Sequence, residues 1–525
     1  MGFVDTTLYT IFSCFTFLFM VVVNFIFDYK YKGKGGKVSK VQDPILLMPA
    51  SELSRDIRSR KLRAEDVMAA YIKRAKEVNV LVNAIVGEQY DKALRRAQEL
   101  DQTLDSLSFE EIEEQFSEAR KPLLGVPLSV KEAFEWTGMQ HTSGVVNRKH
   151  ILAPRDAPVL ANLVAAGAIP FIQTNVSEVC MWFESSNYVY GCTNNAYDTT
   201  RMVGGSSGGE GCILSTGASV IGIGSDIGGS IRMPCFFNGV FGHKPSPGVV
   251  DNSGQFPIAN EAAMTLLATG PMCRYATDLI PALKVMAGPE GVLKLKLDTQ
   301  VNFSKLKVIS VPDDSGSLLL SKVDPELVAI QKKCFEYLKT LGADCNETHI
   351  KKFRFALEMW AAKMNLANGP KFATLMAGGE GKVNCVLELA KSLVRQSNHT
   401  LPAIALGLFD DFLPQLTKSK DLKAVQILDA LKEEIVSLLG DDTVLLYPSH
   451  PKLAPYHNHP IFTPMNFAYT ALFNALALPV TQCPLGLSKD GLPLGVQVVT
   501  SPYNDHLSLA VAMKLEEKFG GWTNP

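Results

Sequence analysis

Two serines in glycine-rich surroundings are the residues of this chain best suited to covalent chemistry. Gly204-Gly205-Ser206-Ser207-Gly208 matches the G-x-S-x-G pattern, in which a sharp turn exposes a serine hydroxyl as a nucleophile. A tight turn of small residues gives the same letters, so the match alone assigns no role to Ser206. The run from Gly204 to Gly209 also has phosphate-loop spacing, but Glu210 stands where that loop needs its lysine. Ser230 follows 24 residues after Ser206, in Asp226-Ile227-Gly228-Gly229-Ser230-Ile231-Arg232. Adjacent glycines let consecutive N–H groups converge on one point, and an oxyanion needs donors about 3 Å away. A serine that closes such a turn has its charge stabiliser built from the same backbone. This favours Ser230 over Ser206 as the attacking residue.

A serine hydroxyl attacks poorly until a base takes its proton. Nine histidines are present, and no spacing singles one out. His243 lies in Gly242-His243-Lys244-Pro245, which reads as a turn. His450, His457 and His459 fall in a proline-rich loop, and His506 lies near the start of the last helix. Each reads as a surface or loop histidine. Lys131 offers a different base. It follows the apolar run Leu123 to Val130, at the C-terminal edge of a strand, where α/β active sites gather. Burial lowers a lysine pKa from its reference of about 10.4, and the neutral amine can then act as a base near pH 7. A lysine snorkelling at a strand end would look the same, and spacing leaves the two readings level.

The elements that must position these residues alternate between strand and helix. Leu123 to Val130 and Ala168 to Gln173 read as short buried strands, with a helix over Val159 to Ala166 between them. That alternation predicts an α/β fold, a sheet with helices on both faces. The segment from Gly204 to Gly242 holds 12 of the chain's 40 glycines, which means backbone in unusual conformations or in close approach. Helical spacing from Ser51 to about Asp105 predicts a pair of surface helices. Residues 325–430 read as largely helical, Leu476 to Thr500 returns to strand-like runs, and a last helix over Asn504 to Phe519 takes Asn504 as its cap.

Composition excludes several classes. A formal net charge of -2 offers no basic field for nucleic acid. Ten scattered cysteines without a C-x-x-C pair fit reduced thiols, not a disulfide framework or a zinc site. No metal or cofactor is expected. Leu8 to Phe27 forms a 20-residue run with 16 apolar members, about 30 Å of helix, long enough to cross a bilayer. Lys30, Lys32, Lys34, Lys37 and Lys40 follow and would hold the larger part on the cytoplasmic side. The expected organisation is therefore an N-terminal transmembrane anchor over residues 1–28, a flexible basic linker over 29–46 and one catalytic domain over 47–525. Sequons at Asn175, Asn302, Asn346 and Asn398 would matter only for a lumenal domain.

Taken together, the chain resembles the amidase signature family. The resemblance rests on Gly204 to Gly209, on Gly222 to Arg232, on Gly242-His243-Lys244-Pro245 and on Gly125-Val126-Pro127-Leu128-Ser129-Val130-Lys131-Glu132. It runs from about Leu47 to the C-terminus. Met181 to Asn187 and Tyr447 to Pro451, with the N-terminal run, resemble the branch that hydrolyses fatty-acid amides, in its type-two form. The resemblance implies the amidase signature fold, a large mixed twisted β-sheet covered by helices on both faces. It implies Ser230 as the acylated nucleophile, Ser206 (after a cis peptide from Gly205) as proton relay and Lys131 as base. The amides of Ile227, Gly228, Gly229 and Ser230 would form the oxyanion hole. Lipid amides would be the substrates, primary amides such as oleamide and N-acylethanolamines such as anandamide. A membrane would be a partner, at the endoplasmic reticulum or a lipid-droplet surface, and a homodimer is compatible with the reading.

Cys180 and Met181 are candidate substrate-lining residues, with core packing as the alternative. His399 to Leu416 is apolar, and reads equally as a membrane-facing cap or as a buried helix pair. Three rivals stand beside this reading. One is another amidase-signature activity, such as ammonia release from glutamine for tRNA. The second is a membrane-tethered scaffold without activity. The third is a lipase built on Ser206 and His506.

Overall fold

The structure is a computed structural model that describes residues 3–412 and 414–525; the side chains of residues 3–15, 17 and 412–419 lie outside the description. Eleven strands form one sheet. They are β1 (Ile85–Glu88), β2 (Pro127–Lys131), β3 (Ile169–Thr174), β4 (Ile221–Asp226), β5 (Phe241–Lys244) and β6 (Ala268–Cys273). The second half supplies β7 (Lys307–Ser310), β8 (Asp344–Glu347), β9 (Thr443–Tyr447), β10 (Val480–Leu487) and β11 (Pro493–Val499). Their order across the sheet is β1-β3-β2-β4-β6-β5-β10-β11-β9-β7-β8. The sheet is mixed: β3, β2 and β4 run parallel, as do β9, β7 and β8, while β4 to β9 are joined by antiparallel pairs.

Every residue of β2, β3, β4 and β6 is buried. Strands covered on both faces need no polar alternation, which is why Leu123 to Val130 read as an apolar run interrupted only by Ser129. The sheet edge fits β2 slightly differently from the expectation: Lys131 is its last residue rather than the one after it. The short helix Gly208–Ser215 packs directly on the centre of the sheet. A Cβ on Gly222 would lie 2.0 Å from Oε2 of Glu210 on that helix, so a side chain at 222 would drive the two apart. The helical region after Pro325 is also as expected, with helices Pro325–Thr340, Ala356–Leu366, Leu401–Phe412 and Pro414–Leu439.

Several local expectations change. Three helices, Ala50–Arg58, Ala64–Val82 and Tyr90–Ser106, replace the pair. His243 and Lys244 belong to β5 rather than to a turn. The side chain of Asn504 makes no cap bond to the last helix; its amide donates to Gly440, Asp441 and Ser501 instead. The linker is basic but not loose. Its Val38 and Val41 are buried, Val38 N–H donates to Ala196 C=O, and Asn524 brackets the backbone of Val41. The sequon Asn175 is fully buried, its amide donating to Gly191 and Thr193.

The N-terminal helix spans Phe3–Tyr31. Among the described residues, no helix is long and apolar enough to cross a membrane, and residues 8–15 and 17 of the expected anchor lie outside the described side chains. The helix's described second half lies against the rest of the chain. Val23 is buried, Asn24 accepts from the ring of His459, Asp28 accepts from the hydroxyl of Tyr456, and Phe27 meets Tyr456, His459 and Phe462.

Candidate active site

Lys131, Ser206 and Ser230 come from three separate elements. Lys131 ends β2, Ser206 precedes the Gly208–Ser215 helix, and Ser230 lies in the turn between β4 and the Arg232–Asn238 helix. The two serine turns touch: Ser207 N–H donates to Ser230 C=O at 3.2 Å. The peptide Gly205–Ser206 is cis. Lys131 Nζ lies 2.8 Å from Ser206 Oγ and 2.9 Å from Ser225 Oγ, with no solvent exposure. No carboxylate forms an ion pair with it among the described residues. Burial lowers its pKa, against the pull of Cys180, Asp226 and Glu210.

The turn after β4 is fastened by Asp226. Its carboxylate takes the N–H of Gly229 at 2.7 Å, the N–H of Ile231 at 3.1 Å and both Nε and Nη2 of Arg232 at 3.0 and 2.9 Å. Burial opposes the charge on Asp226, but the guanidinium beside it holds the carboxyl well below the usual range. Gly229 adopts φ +123, and a Cβ there would sit 2.0 Å from Thr470 Oγ1, so both conformation and space require glycine. Of the four amides expected in an oxyanion hole, Gly229 N–H is therefore occupied within the turn. Those of Ile227, Gly228 and Ser230 have no protein acceptor among the described residues.

Ser206, Ser225 and Ser230 open on a cavity of about 900 Å³. Its walls are mostly apolar and include Met181, Trp360, Met364, Phe372, Leu406 and Phe467. Cys180 and Met181 both line it. Val179 and Cys180 have φ of 58 and 55, a conformation that a β-branched residue rarely adopts. Val179 N–H donates to Ser143 C=O, and the neighbouring Glu178 carboxylate is taken by the ring of His399 and by Thr400 N–H. Leu406 and Phe409, from the apolar segment expected as a cap or helix pair, also line the cavity, while Leu401 and Phe409 remain exposed.

None of the histidines lines this cavity. Most are buried rather than on the surface. His243 bridges Thr481 and Asp505, and His450 is fully enclosed, its pKa lowered by burial to about 3. His506, the rival base for Ser206, belongs to the helix Asp505–Phe519. Glu184, Cys192 and His457 are grouped closely enough to hold an ion. However, His457 faces acceptors with both ring nitrogens, the Glu184 carboxylate and Thr199 C=O, so it donates from both. Despite its burial, Cys192 and Glu184 push its pKa up to about 10, and an imidazolium has no lone pair for a metal.

A family model described as Amidase matches residues 66–509. The chain belongs to the amidase family. It is an enzyme of that family, a hydrolase acting on amides. It is 51% identical to fatty-acid amide hydrolase 2 of Homo sapiens, over 92% of this chain and 91% of the relative. It is 49% identical to fatty-acid amide hydrolase 2-A of Danio rerio, over 93% and 92%. Among solved structures, one named fatty acid amide hydrolase superposes with a TM-score of 0.70 at 21% identity, covering 91% of this chain and 87% of the other, a likeness of fold.

In this amidase, sequence reasoning missed Ser225, the second hydroxyl on Lys131. Ser225 shares a face of β4 with Ile221 and Ile223, and a hydroxyl ending an apolar row was the available signal. It also missed Trp360 and Thr470, which come from helices 130 or more residues away and bond the carbonyls of Ile227 and Gly228 at 2.8 Å each. No local pattern marks either residue.

Proposed function

We propose that this amidase hydrolyses fatty-acid amides through an acyl-enzyme on Ser230. The observation that carries the reading is Lys131, wholly buried, bonded to two hydroxyls and free of a carboxylate partner, beside a mostly apolar cavity of about 900 Å³. An amine in that setting is held neutral and can take a proton. The names of the half-identical relatives support the substrate class.

In the first half-reaction Lys131 takes the proton of Ser206 while Ser206 takes that of Ser230. The Ser230 oxygen adds to the amide carbon, and the carbonyl oxygen gains the negative charge. The amides of Ile227, Gly228 and Ser230 receive that oxyanion, while Gly229, bound to Asp226, shapes the turn that presents them. The relay then reverses. Ser206 gives its proton to the leaving nitrogen and regains one from Lys131, so the C–N bond breaks and ammonia or amine departs. Water repeats the sequence on the ester and releases the fatty acid. The acyl chain lies along the cavity, against Met181 and Trp360.

Membrane association belongs to the same proposal. The Phe3–Tyr31 helix carries Leu18, Val22, Phe25 and Ile26 exposed to solvent, opposite the side that meets Tyr456 and His459, and Lys30, Lys32 and Lys34 follow. This is the pattern of an anchoring helix with a basic collar. Residues 29–46 then act as a basic strap and 47–525 as the catalytic domain.

Hydrolysis of a panel from acetamide and glutamine to oleamide, by wild type and Ser230→Ala, tests the reading. Oleamide should be preferred and Ser230→Ala inactive. Preference for glutamine, or fluorophosphonate labelling at Ser206 in place of Ser230, would overturn it.

A further inference from the structure

Trp360 stands in two structures at once. Its ring forms part of the cavity wall, and its indole N–H donates to the carbonyl of Ile227 at 2.8 Å. Phe467, also on the wall, meets that ring edge-on at 5.0 Å and 82°. A peptide is planar and trans, so its C=O and its N–H point in opposite directions. Fixing the carbonyl of Ile227 therefore fixes the direction of the Gly228 N–H. The same logic sorts the other peptides of the turn. The carbonyl of Gly228 is taken by Thr470 Oγ1 at 2.8 Å, and the N–H on that peptide, from Gly229, is taken by Asp226. The carbonyl of Gly229 is taken by Met233 N–H at 2.8 Å, which fixes the Ser230 N–H and leaves it without a protein acceptor. One peptide is thus spent on scaffolding at both ends. Three are held by their carbonyls alone: Asn474 Nδ2 takes the carbonyl of Asp226 at 3.0 Å and leaves the Ile227 N–H, and the other two leave the N–H of Gly228 and of Ser230.

The Gly228 and Ser230 amides are not held equally. The Ser230 amide is set by a backbone bond within its own helix turn. The Gly228 amide is set by one side chain of the Ala356–Leu366 helix, that of Trp360, 133 residues from Ile227 in sequence. Gly228 has no Cβ to restrain it, and the nearest atoms to such a Cβ would be those of Trp360 and Phe467 at 3.5 and 3.6 Å. We infer that Trp360 is a positioning residue for amide hydrolysis, its indole N–H holding the Ile227–Gly228 peptide in the orientation that presents the Gly228 N–H to the oxyanion. The inference rests on the proposed role of Ser230. Because the same ring walls the cavity, its N–H and its face act on different kinetic quantities.

The test separates the two. Trp360→Phe keeps an aromatic wall and removes the N–H. A lost oxyanion donor costs on the order of 100-fold in kcat, and a partly misdirected one less, so kcat for oleamide should fall about 10- to 100-fold with KM within about twofold. A trifluoromethyl ketone of the same chain, whose adduct with Ser230 carries an oxyanion, should bind weaker by the same factor as kcat/KM. Binding of the fatty alcohol of the same chain, which is uncharged and forms no adduct with Ser230, should hold. Trp360→Ala should raise KM as well. Tm measured alongside shows that each variant is folded. Unchanged kcat in a folded Trp360→Phe, or a loss confined to KM, would overturn the inference, as would equal weakening of ketone and fatty alcohol. Ser230→Ala measured in parallel keeps the two readings apart. If it retains activity, the role of Ser230 fails; if it is dead while Trp360→Phe is unimpaired, only the role of Trp360 fails.

Discussion

Replacing Lys131 by Met should destroy activity while changing how stability depends on pH, and the second effect is the more diagnostic. Met keeps the unbranched side chain as far as Cε and removes the amine. Loss of a general base costs about 100- to 10,000-fold in rate, so kcat/KM for a fatty amide should fall at least 100-fold. The stability effect follows from burial, which sets the folded-state pKa of Lys131 below the ordinary 10.5 that it keeps in the unfolded chain. Above 10.5 the amine is neutral in both states and its burial carries no charge penalty. As pH falls below 10.5, the unfolded chain takes up the proton and the folded one does not, so wild type loses stability by about 1.4 kcal/mol per pH unit from this group. The loss stops when pH passes the lowered folded value, since both states are then protonated.

Lys131→Met lacks this term. The difference in unfolding free energy between variant and wild type should therefore widen in favour of the variant as pH falls from 10.5, and level off at the folded pKa. Urea melts of both proteins at half-unit steps from pH 6 to 10 measure it. The plateau should coincide with the pH at which wild-type kcat/KM is half its alkaline limit, because one protonation controls both. A constant difference across the range would show that Lys131 keeps its proton on folding, and the base mechanism would fall with it.

The remaining predictions concern the groups around the site. Asp226→Ala leaves the buried Arg232 guanidinium without its carboxylate and should cost about 3–5 kcal/mol in a urea melt, with loss of fluorophosphonate labelling at Ser230. Glu210 is raised by burial to about 8, so wild type should lose stability between the ordinary 4.5 and about 8 at up to about 1.4 kcal/mol per pH unit, and Glu210→Gln should lack that slope. Gly222→Ala places a methyl 2.0 Å from the Glu210 carboxyl and should destabilise by about 1–3 kcal/mol, read as a lower Tm, with kcat falling as the Gly208–Ser215 helix shifts.

What could be read in the sequence was whatever is local. The strands β2 and β3 announced themselves as apolar runs between Gly and Pro, and the glycines of 204–242 announced backbone packed too closely for side chains. The turn before Ser230 could be read because its donors and its nucleophile are neighbours in the chain. The partners that hold that turn are not neighbours. Arg232 reaches Asn474 and Gln497, Thr470 reaches Gly228, and Trp360 reaches Ile227. These pairings depend on helix-to-sheet packing that no window of residues encodes. The histidines fail for the opposite reason. His243, His450 and His457 sit among prolines and glycines, which read as surface loops, yet His243 and His450 are enclosed and His457 is half-buried, and each bonds a neighbour there: Asp505, the carbonyl of Lys452 and Glu184. Proline and glycine mark where the chain turns, not whether the turn is covered.

The proposed neutral form of Lys131 has two carboxyl groups beside it, and both need an account. Glu210 and Asp226 each pull Lys131 toward its charged form. Glu210 receives hydroxyl bonds from Ser129 and Thr174 but no cation, and burial lifts it to about 8. Near pH 7 it is therefore mostly uncharged and exerts little pull. Asp226 stays ionised, but its charge is matched by Arg232 within 3 Å and by N–H groups of the Ser230 turn. A compensated charge acts at a distance as a dipole, and its hold on Lys131 falls off faster than that of a bare carboxylate. Arg232 thus has two effects: it anchors the turn that carries Ser230, and it offsets the negative charge that favours the protonated form of Lys131. In Arg232→Met the carboxylate of Asp226 would be left bare, the pKa of Lys131 would rise, and the acid limb of kcat/KM would move to higher pH. A limb that stayed in place, in a folded variant, would place the neutrality of Lys131 on burial alone.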